Sequence, residues 1–235
     1  MADLPIDLRG GLADRLARAL DQEGKIPRAL DALGPLGGRE VALVDAAGGV
    51  RARLLAAIGA RLVALERAAG LDGLRSALAD RAADPATIRV AGGEAGATGL
   101  EDSSVDVVVG MWSAYRAPAD AEVAEADRIL RPDGRLLVVH DYGRDDVSRL
   151  LGDRPEYRDW GRRGGWYLRH GFRVRVVHCF WTFTALEDAR GFVEEAFPET
   201  GPAVAETLKR ARLTYNVAVY HRTRGDDTGT MASTR

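Results

Sequence analysis

Residues 105–139 read VDVVVGMWSAYRAPADAEVAEADRILRPDGRLLVV, and this stretch decides the fold. The apolar run Val105–Val109 predicts a short strand, and apolar positions at helical spacing predict a helix from Ala119 to Leu130. The tetrapeptide RPDG at 131–134 is typical of a turn, and Arg135–Val139 predicts a second strand. Both strands are apolar throughout, which indicates a parallel sheet buried on both faces.

The same alternation continues outward from this stretch in both directions. Towards the N-terminus we predict, in order, strand Glu40–Val44, helix Val50–Ile58, strand Arg61–Leu65, a helix near Leu71–Arg81 and strand Ile88–Ala91. Towards the C-terminus we predict helix Tyr157–His170 and strands Phe172–Phe183 and Leu213–His221, which can be antiparallel. Two short helices precede the first strand. Residues 1–224 are thus predicted to form a single domain with N-terminal helices in 1–36, and residues 225–235 a disordered tail.

Composition excludes several classes of function. The chain has 235 residues, 46% of them hydrophobic, which suffices for one large α/β domain. Its net charge of −2 and isoelectric point near 6.1 argue against nucleic acid and anionic membranes as partners. Cys179 is the only cysteine, so the sequence provides neither a disulfide nor a cysteine metal cluster. With no signal peptide or membrane span evident, we expect a cytoplasmic protein.

Two motifs resemble a known enzyme family. Residues 93–109, GEAGATGLEDSSVDVVV, and 122–139, EVAEADRILRPDGRLLVV, are similar to the "GDAxxLP", "SFDVVV" and "RxLRPGGRLLVV" segments of the type 11 methyltransferases, in the same order. These are class I S-adenosylmethionine-dependent enzymes. The resemblance covers residues 37–139 well. It implies a Rossmann-like, seven-stranded, mostly parallel sheet with helices on both faces and a C-terminal antiparallel hairpin, with S-adenosyl-L-methionine bound at the carboxyl ends of the strands.

The resemblance also assigns cofactor-binding residues. Glu66 ends a predicted buried strand and stands where the family has the acid that binds both ribose hydroxyls; the alternative is a capping or surface glutamate. Glu94 stands where the family has an aspartate facing the adenine amino group, and Ala95 offers a backbone N–H to the ring. The alternative for Glu94 is a solvated loop residue.

The glycine-rich turn of the family is degraded in this chain. Residues 43–49 read LVDAAGG, where the family has an acid two positions before Gly-x-Gly-x-Gly. In an ungapped register, Leu43 replaces the acid, Asp45 and Ala47 replace two glycines, and Gly49 survives. In a register shifted by two residues, Asp45 is the acid, Ala47 and Gly49 take the first two glycine positions, and Arg51 takes the third. We favour the shifted register and assign Asp45, Ala47, Gly48 and Gly49 to the cofactor.

Residues after the fourth and fifth strands are candidates for catalysis. Trp112, Ser113 and Tyr115 follow the fourth strand; Trp112 is assigned to the cofactor and Tyr115 to catalysis, because aromatic faces attract a sulfonium cation. His140 and Asp141 follow the fifth strand together with Tyr142, and we assign the first two as catalytic, His140 as a general base. Alternatively, His140 caps a helix or satisfies a loop carbonyl. No second pair at ligand spacing accompanies these two residues, which disfavours a metal.

The sequence therefore predicts methyl transfer to a small-molecule acceptor, with positioning as the main source of catalysis. A second interpretation is a non-catalytic binding or scaffold protein of the same fold with weakened cofactor binding, which the degraded turn supports. A nucleotide-dependent dehydrogenase is disfavoured, since no Gly-x-Gly-x-x-Gly turn is present. Whether the protein is a monomer or a homodimer is left open by the sequence. The fold predicts eight buried strand residues: Val41, Leu43, Leu65, Val90, Val107, Val109, Leu137 and Val139.

Overall fold

The computed structural model describes residues 4–79, 87–112, 114–116, 119–152, 154 and 156–225. It contains a seven-stranded sheet in the order β3-β2-β1-β4-β5-β7-β6. The strands are β1 (Glu40–Val44), β2 (Arg61–Glu66), β3 (Ile88–Gly92), β4 (Val105–Met111), β5 (Leu130–Asp141), β6 (Arg173–Thr182) and β7 (Arg212–Thr223). Strands β1 to β5 are parallel, and β7 runs antiparallel to both β5 and β6. The predicted Rossmann-like fold and reversed terminal hairpin are confirmed.

Helices cover both faces of this sheet. They are α1 (Gly10–Ala19), α2 (Lys25–Leu33), α3 (Val50–Ala56), α4 (Leu71–Ala79), α5 (Asp120–Ile129), α6 (Asp146–Leu151), α7 (Trp166–Arg169), α8 (Leu186–Ala196) and α9 (Gly201–Thr207). Side chains alternate between two cores along each central strand, as the two-residue period of a strand requires. In β1, Val41 and Leu43 join the core shared with α1, α2, α3 and α8, whereas Ala42 and Val44 join the core shared with α5 and α7.

Seven of the eight predicted core positions are fully buried, and Val90 is the exception. Val90 lies in β3, which is an edge strand. Because β3 has a neighbouring strand on one side only, the side chain of Val90 remains partly exposed. An apolar run alone does not distinguish an edge strand from a central one.

The predicted turn at 131–134 lies within β5 as an irregularity of the strand. Val105 pairs with Leu130 and Val107 with Arg135, so four residues face one residue of β4. Asp133 has a φ of 62°, and a Cβ on Gly134 would lie 2.8 Å from the Arg131 carbonyl oxygen. The prediction of a turn-like backbone at 131–134 was correct, but β5 extends on both sides of it.

The predicted helix from Tyr157 to His170 is wrong as a continuous element. The structure has a single π-helical turn at Glu156–Trp160 and then the short helix α7. Gly164 and Gly165 separate them, and a Cβ on Gly165 would lie 2.3 Å from the Asp159 carbonyl oxygen. Close backbone contact at this glycine ends the first turn, an effect that the apolar spacing does not reveal.

The predicted helix near Leu71–Arg81 is observed as far as Ala79, and residues 80 and 81 lie outside the described part. The tail prediction for 225–235 also falls there, except for Gly225. Among the helices of the described residues, none is long and apolar enough to span a bilayer.

Candidate active site

The carboxyl ends of β1 and β2 bring two carboxylates together. Val44 pairs with Leu65, so Asp45, which follows β1, lies beside Glu66, the last residue of β2. Both side chains are buried, with 3% and 5% of their surfaces exposed. One Glu66 oxygen accepts the Ala47 N–H at 2.7 Å and the other accepts the Arg67 N–H at 3.0 Å. Each oxygen retains a lone pair for a further donor.

The Asp45 carboxylate has a buried oxygen that lacks a donor in the described part of the chain. Its Oδ1 atom is buried and, among the described residues, has no hydrogen-bond partner. Burial, followed by the charge of Glu66, raises the pKa of Asp45. A buried acceptor without a donor costs about 1–3 kcal/mol, so this oxygen is poised to receive a donor from a ligand.

Alternate residues of the turn after β1 adopt a left-handed backbone. The φ angle is 55° at Asp45, 46° at Ala47 and 80° at Gly49. This conformation favours glycine and is strained for other residues, and such strain is concentrated at functional sites. The conformation matches the spacing of the three glycine positions in the ungapped register. The Asp45 carboxylate lies beside Glu66, as expected for the acid of the shifted register. Leu43, which stands at the acid position of the ungapped register, is fully buried inside β1. Asp45 thus combines a glycine-type backbone with an acidic side chain.

A buried arginine joins the ends of β1 and β4. The Arg51 guanidinium donates to the Asp45 carbonyl oxygen at 2.6 Å and to the Met111 carbonyl oxygen. Only 2% of the surface of Arg51 is exposed. In the shifted register Arg51 occupies the third glycine position, so its side chain fills space beside the turn and fixes the ends of both strands.

The loop after β3 reaches the same edge of the sheet. The Gly93 N–H donates to the Glu66 carbonyl oxygen at 3.0 Å, and Glu94 and Ala97 exchange backbone hydrogen bonds. The Glu94 carboxylate is exposed and lies 3.3 Å from the Arg67 guanidinium. Ala95 is buried. The structure therefore brings together Asp45, Ala47, Gly48, Gly49, Glu66, Glu94 and Ala95, which were assigned to the cofactor from sequence.

Trp112 and Tyr115 follow β4 but point to opposite faces of the sheet. Trp112 packs in the core beneath α1 and α2, where its indole N–H donates to the Tyr215 hydroxyl at 2.9 Å. Tyr115 packs in the other core, against Gly110, and its carbonyl oxygen accepts the Tyr167 hydroxyl at 2.5 Å. Burial raises the pKa of the Tyr115 phenol, which remains protonated. Tyr115 is close enough to Asp45 to sense its charge. Ser113 lies outside the described residues.

His140 is fully buried near the end of β5. Its ring lies 4.9 Å from that of Trp160 and 6.4 Å from that of Tyr167, measured between centroids. Burial, followed by the charge of Arg116, lowers its pKa to about 3. Neither ring nitrogen makes a hydrogen bond of ordinary geometry within the described part, although the Ala114 and Tyr115 backbone lies close. These surroundings favour a packed, neutral imidazole over a general base; catalysis by His140 stays a prediction.

Asp141 belongs to a buried hydrogen-bonded network. It accepts a short hydrogen bond from the Tyr215 hydroxyl, and its second oxygen lies 3.3 Å from the Arg154 guanidinium. The network therefore runs from Trp112 through Tyr215 and Asp141 to Arg154. Burial raises the pKa of Asp141 to about 6, against the opposing effect of the Tyr215 hydrogen bond. Asp141 is the candidate whose proton equilibrium lies nearest neutrality.

Sequence reasoning missed Tyr215, Arg51 and Arg154. Tyr215 reaches Asp141 because β7 pairs with β5, with Val217 opposite Asp141. That contact joins residues 74 positions apart and has no local signal. Arg51 carried a signal, since it stands at a position where the family has glycine, but its burial was unexpected.

Comparisons with known proteins agree with this fold. Residues 44–138 match the family described as "Methyltransferase domain". No curated protein matches the chain.

Several solved structures share the fold. One is described as a type II methyltransferase from Anaeromyxobacter dehalogenans, with 20% identity over 86% of this chain and 96% of that chain, and a TM-score of 0.57. A methyltransferase solved with the Haloferax volcanii Trm112 activator has 22% identity over 89% and 91%, with a TM-score of 0.54. Geranyl diphosphate C-methyltransferase from Streptomyces coelicolor A3(2), solved with Mg2+, geranyl diphosphate and S-adenosyl-L-homocysteine, has 16% identity over 86% and 78%, with a TM-score of 0.51. In its sheet order and over residues 44–138, this chain is similar to the class I S-adenosylmethionine-dependent methyltransferases.

Proposed function

We propose that this protein transfers the methyl group of S-adenosyl-L-methionine to a small-molecule acceptor. The observation that carries the proposal is the buried Asp45–Glu66 pair, in which Asp45 Oδ1 has no donor within the described residues. A ligand that brings hydroxyl and ammonium donors suits this pair, and S-adenosyl-L-methionine has both. The low net charge of the chain supports a small acceptor rather than nucleic acid.

Each residue at this edge has a proposed part in holding the cofactor. Glu66 accepts the ribose hydroxyls on the lone pairs that the Ala47 and Arg67 amides leave free. Asp45 accepts a donor from the amino-acid end on its buried Oδ1 atom, which has no partner among the described residues. The exposed Gly48 allows close approach of a ligand to the backbone. Glu94 and Ala95 bind the adenine, and Trp112 contributes indirectly through its position after β4.

When bound, the cofactor supplies an electrophilic methyl group on a sulfonium. The chain's own residues hold the acceptor, exclude water and take up a proton where the acceptor loses one. Among the three catalytic candidates, Asp141 has a pKa of about 6 and suits proton uptake, whereas Tyr115 stays protonated and serves as a hydrogen-bond donor or aromatic wall. His140, with a pKa of about 3, remains neutral beside them.

Titration calorimetry with S-adenosyl-L-methionine and S-adenosyl-L-homocysteine tests the proposal. We expect both ligands to bind the parent. Glu66→Gln should weaken binding about ten- to a hundredfold, since it removes charge-assisted hydrogen bonds of about 1.5–3 kcal/mol. The matched control is Glu101→Gln, an exposed loop glutamate that is remote from the site.

The alternative is the non-catalytic scaffold protein, which the Asp45 and Ala47 side chains in the turn and the buried Arg51 favour. If neither ligand binds the parent at millimolar concentration, this alternative replaces the proposal. If the ligands bind but Glu66→Gln and Glu101→Gln behave alike, the assignment of Glu66 is wrong while the cofactor assignment stands.

A further inference from the structure

A cleft lies on the other side of β5 from the Asp45–Glu66 pair. It has a volume of about 450 Å3 and lies between α6, α9, the end of β6 and the start of β7. We call it the α6–α9 cleft. Phe180 pairs with Thr214 and Thr182 with Arg212 at this end of the hairpin, beyond Val217, which faces Asp141. The cleft is therefore near the same edge of the sheet as the active site but on the far side of β5 from β1 and β2.

Positive charge dominates the walls of the cleft. Arg149, Lys209, Arg210 and Arg212 line it, and Asp146 is the acid that lines it with them. Asp146 is already engaged: one oxygen pairs with Arg149 at 2.9 Å and the other accepts the N–H and hydroxyl of Thr214.

Three of these cations have no ion pair with any described residue. Across the described ranges, no carboxylate lies within ion-pair distance of Lys209, Arg210 or Arg212. The pKa of Glu23 is lowered chiefly by its hydrogen bond with Lys25, and the more distant charge of Arg212 adds to this effect. This concentration of unpaired cations stands out in a chain whose net charge is −2. Such a cluster attracts an anion.

The remaining wall is apolar. Phe180, Val204 and Leu208 line the cleft beside the cations. The Arg212 guanidinium lies over the Phe180 ring at 4.4 Å from its centroid, and this stacking holds the charge at the boundary between the apolar and cationic walls. A cleft with one apolar and one charged wall fits a ligand of the same two-part character.

Hydrogen bonds fix the walls relative to one another. Asp146 and Thr214 bond reciprocally, because the Thr214 hydroxyl also accepts the Asp146 N–H at 2.9 Å. Arg190 donates to the carbonyl oxygens of Ala205 at 3.1 Å and Leu208 at 2.9 Å, which ties the end of α9 to α8. These bonds fix the backbone of the walls, so the ordering cost of binding falls mainly on the exposed side chains of Lys209, Arg210 and Arg212.

We propose that the α6–α9 cleft binds a small amphipathic anion: a phosphate or carboxylate head on the cations Lys209, Arg210 and Arg212, with an alkyl or aryl body against Phe180, Val204 and Leu208. The site is separate from the cofactor residues, so it stands whether or not the cofactor binds.

Calorimetry with n-octyl phosphate, below its micelle concentration, tests this site. We expect it to bind at least tenfold more tightly than either inorganic phosphate or n-octanol, each of which has only one half of the ligand. Added salt should weaken the binding, since the cations are exposed. Octanoate in place of octyl phosphate distinguishes a carboxylate preference from a phosphate preference.

Lys209→Gln with Arg212→Gln should weaken octyl phosphate binding at least tenfold, and Ala203→Trp should block it by filling the cleft. Arg173→Gln with Arg175→Gln is the matched control, because both arginines are exposed near the opposite end of β6. The proposal is overturned if octyl phosphate does not saturate, if inorganic phosphate binds as tightly, or if the two double variants bind alike.

Discussion

The end of β1 and the end of β5 both carry buried acids, but the acids are satisfied differently. At the end of β1, Asp45 keeps a buried oxygen that no described residue supplies with a donor, and the backbone around it is strained. At the end of β5, Asp141 receives the Tyr215 hydroxyl and the Arg154 guanidinium, and Tyr215 in turn receives the Trp112 indole. Asp45 is incomplete without a ligand, whereas Asp141 is satisfied by the chain itself.

This difference distinguishes a carboxylate that is suited to bind a ligand from one that supports the fold. A buried polar group that the fold leaves unsatisfied is costly and is kept where a ligand supplies the missing partner. A buried network whose members satisfy one another makes a rigid frame. We therefore expect substitution of Asp141 to change stability as well as proton uptake, and substitution of Asp45 to change chiefly affinity.

The largest expected effect comes from His140. Its folded pKa of about 3 lies below the ordinary value of 6.5, so the fold favours the neutral ring. Its contribution to stability is complete above pH 6.5 and is lost as pH falls towards 3, by up to about 5 kcal/mol. His140→Phe should remove this dependence. Denaturant unfolding of both proteins between pH 4 and 7 measures it.

His178→Gln is the control for that measurement, because His178 is exposed. It should keep the pH dependence of the parent. Parallel stability curves for the parent and His140→Phe would show that the imidazole is hydrated in solution, and the end of β5 would then be less closed than described.

Asp141 should give the opposite trend with pH. Its folded pKa of about 6 lies above the ordinary 3.8, so the fold favours the protonated acid. The stabilising contribution is complete below pH 3.8 and is lost as pH rises through 6, by about 3 kcal/mol. Asp141→Asn mimics the neutral form, so it should gain stability relative to the parent as pH rises from 4 to 7. A constant difference over this range would contradict the raised pKa.

Asp45 should affect affinity more than stability. Glycine relieves the strain of a φ of 55°, so Asp45→Gly should fold as well as the parent. If the carboxylate binds the cofactor, both Asp45→Gly and Asp45→Asn should lose about tenfold or more in affinity for S-adenosyl-L-methionine by calorimetry, about 1.5–3 kcal/mol. The control is Asp72→Asn, an exposed acid on α4.

Affinity equal to or above that of the parent in Asp45→Gly would instead support the ungapped register. The side chain would then crowd a glycine position, and the contrast between the two strand ends would lose its basis.

Local patterns in the sequence predicted most of the fold and only part of the candidate site. The strands from Glu40–Val44 to Arg135–Val139 were visible as apolar runs, and Glu66 was visible because an acid ended one of them. The break at Gly164 and Gly165 was missed, because it depends on backbone contact rather than on apolar spacing. The Tyr215–Asp141 hydrogen bond was missed, since only the pairing of β5 with β7 brings the two residues together.

The position of β7 between β5 and β6 also sets an order for biosynthesis. Strand β6 leaves the ribosome before β7, yet its only strand partner in the described sheet is β7. Until residue 212 and those after it emerge, the nascent chain exposes the β5 edge and has no sheet position for β6. Unpaired edges of this kind recruit other chains, so synthesis that stops before β7 leaves an aggregation-prone product rather than a smaller enzyme.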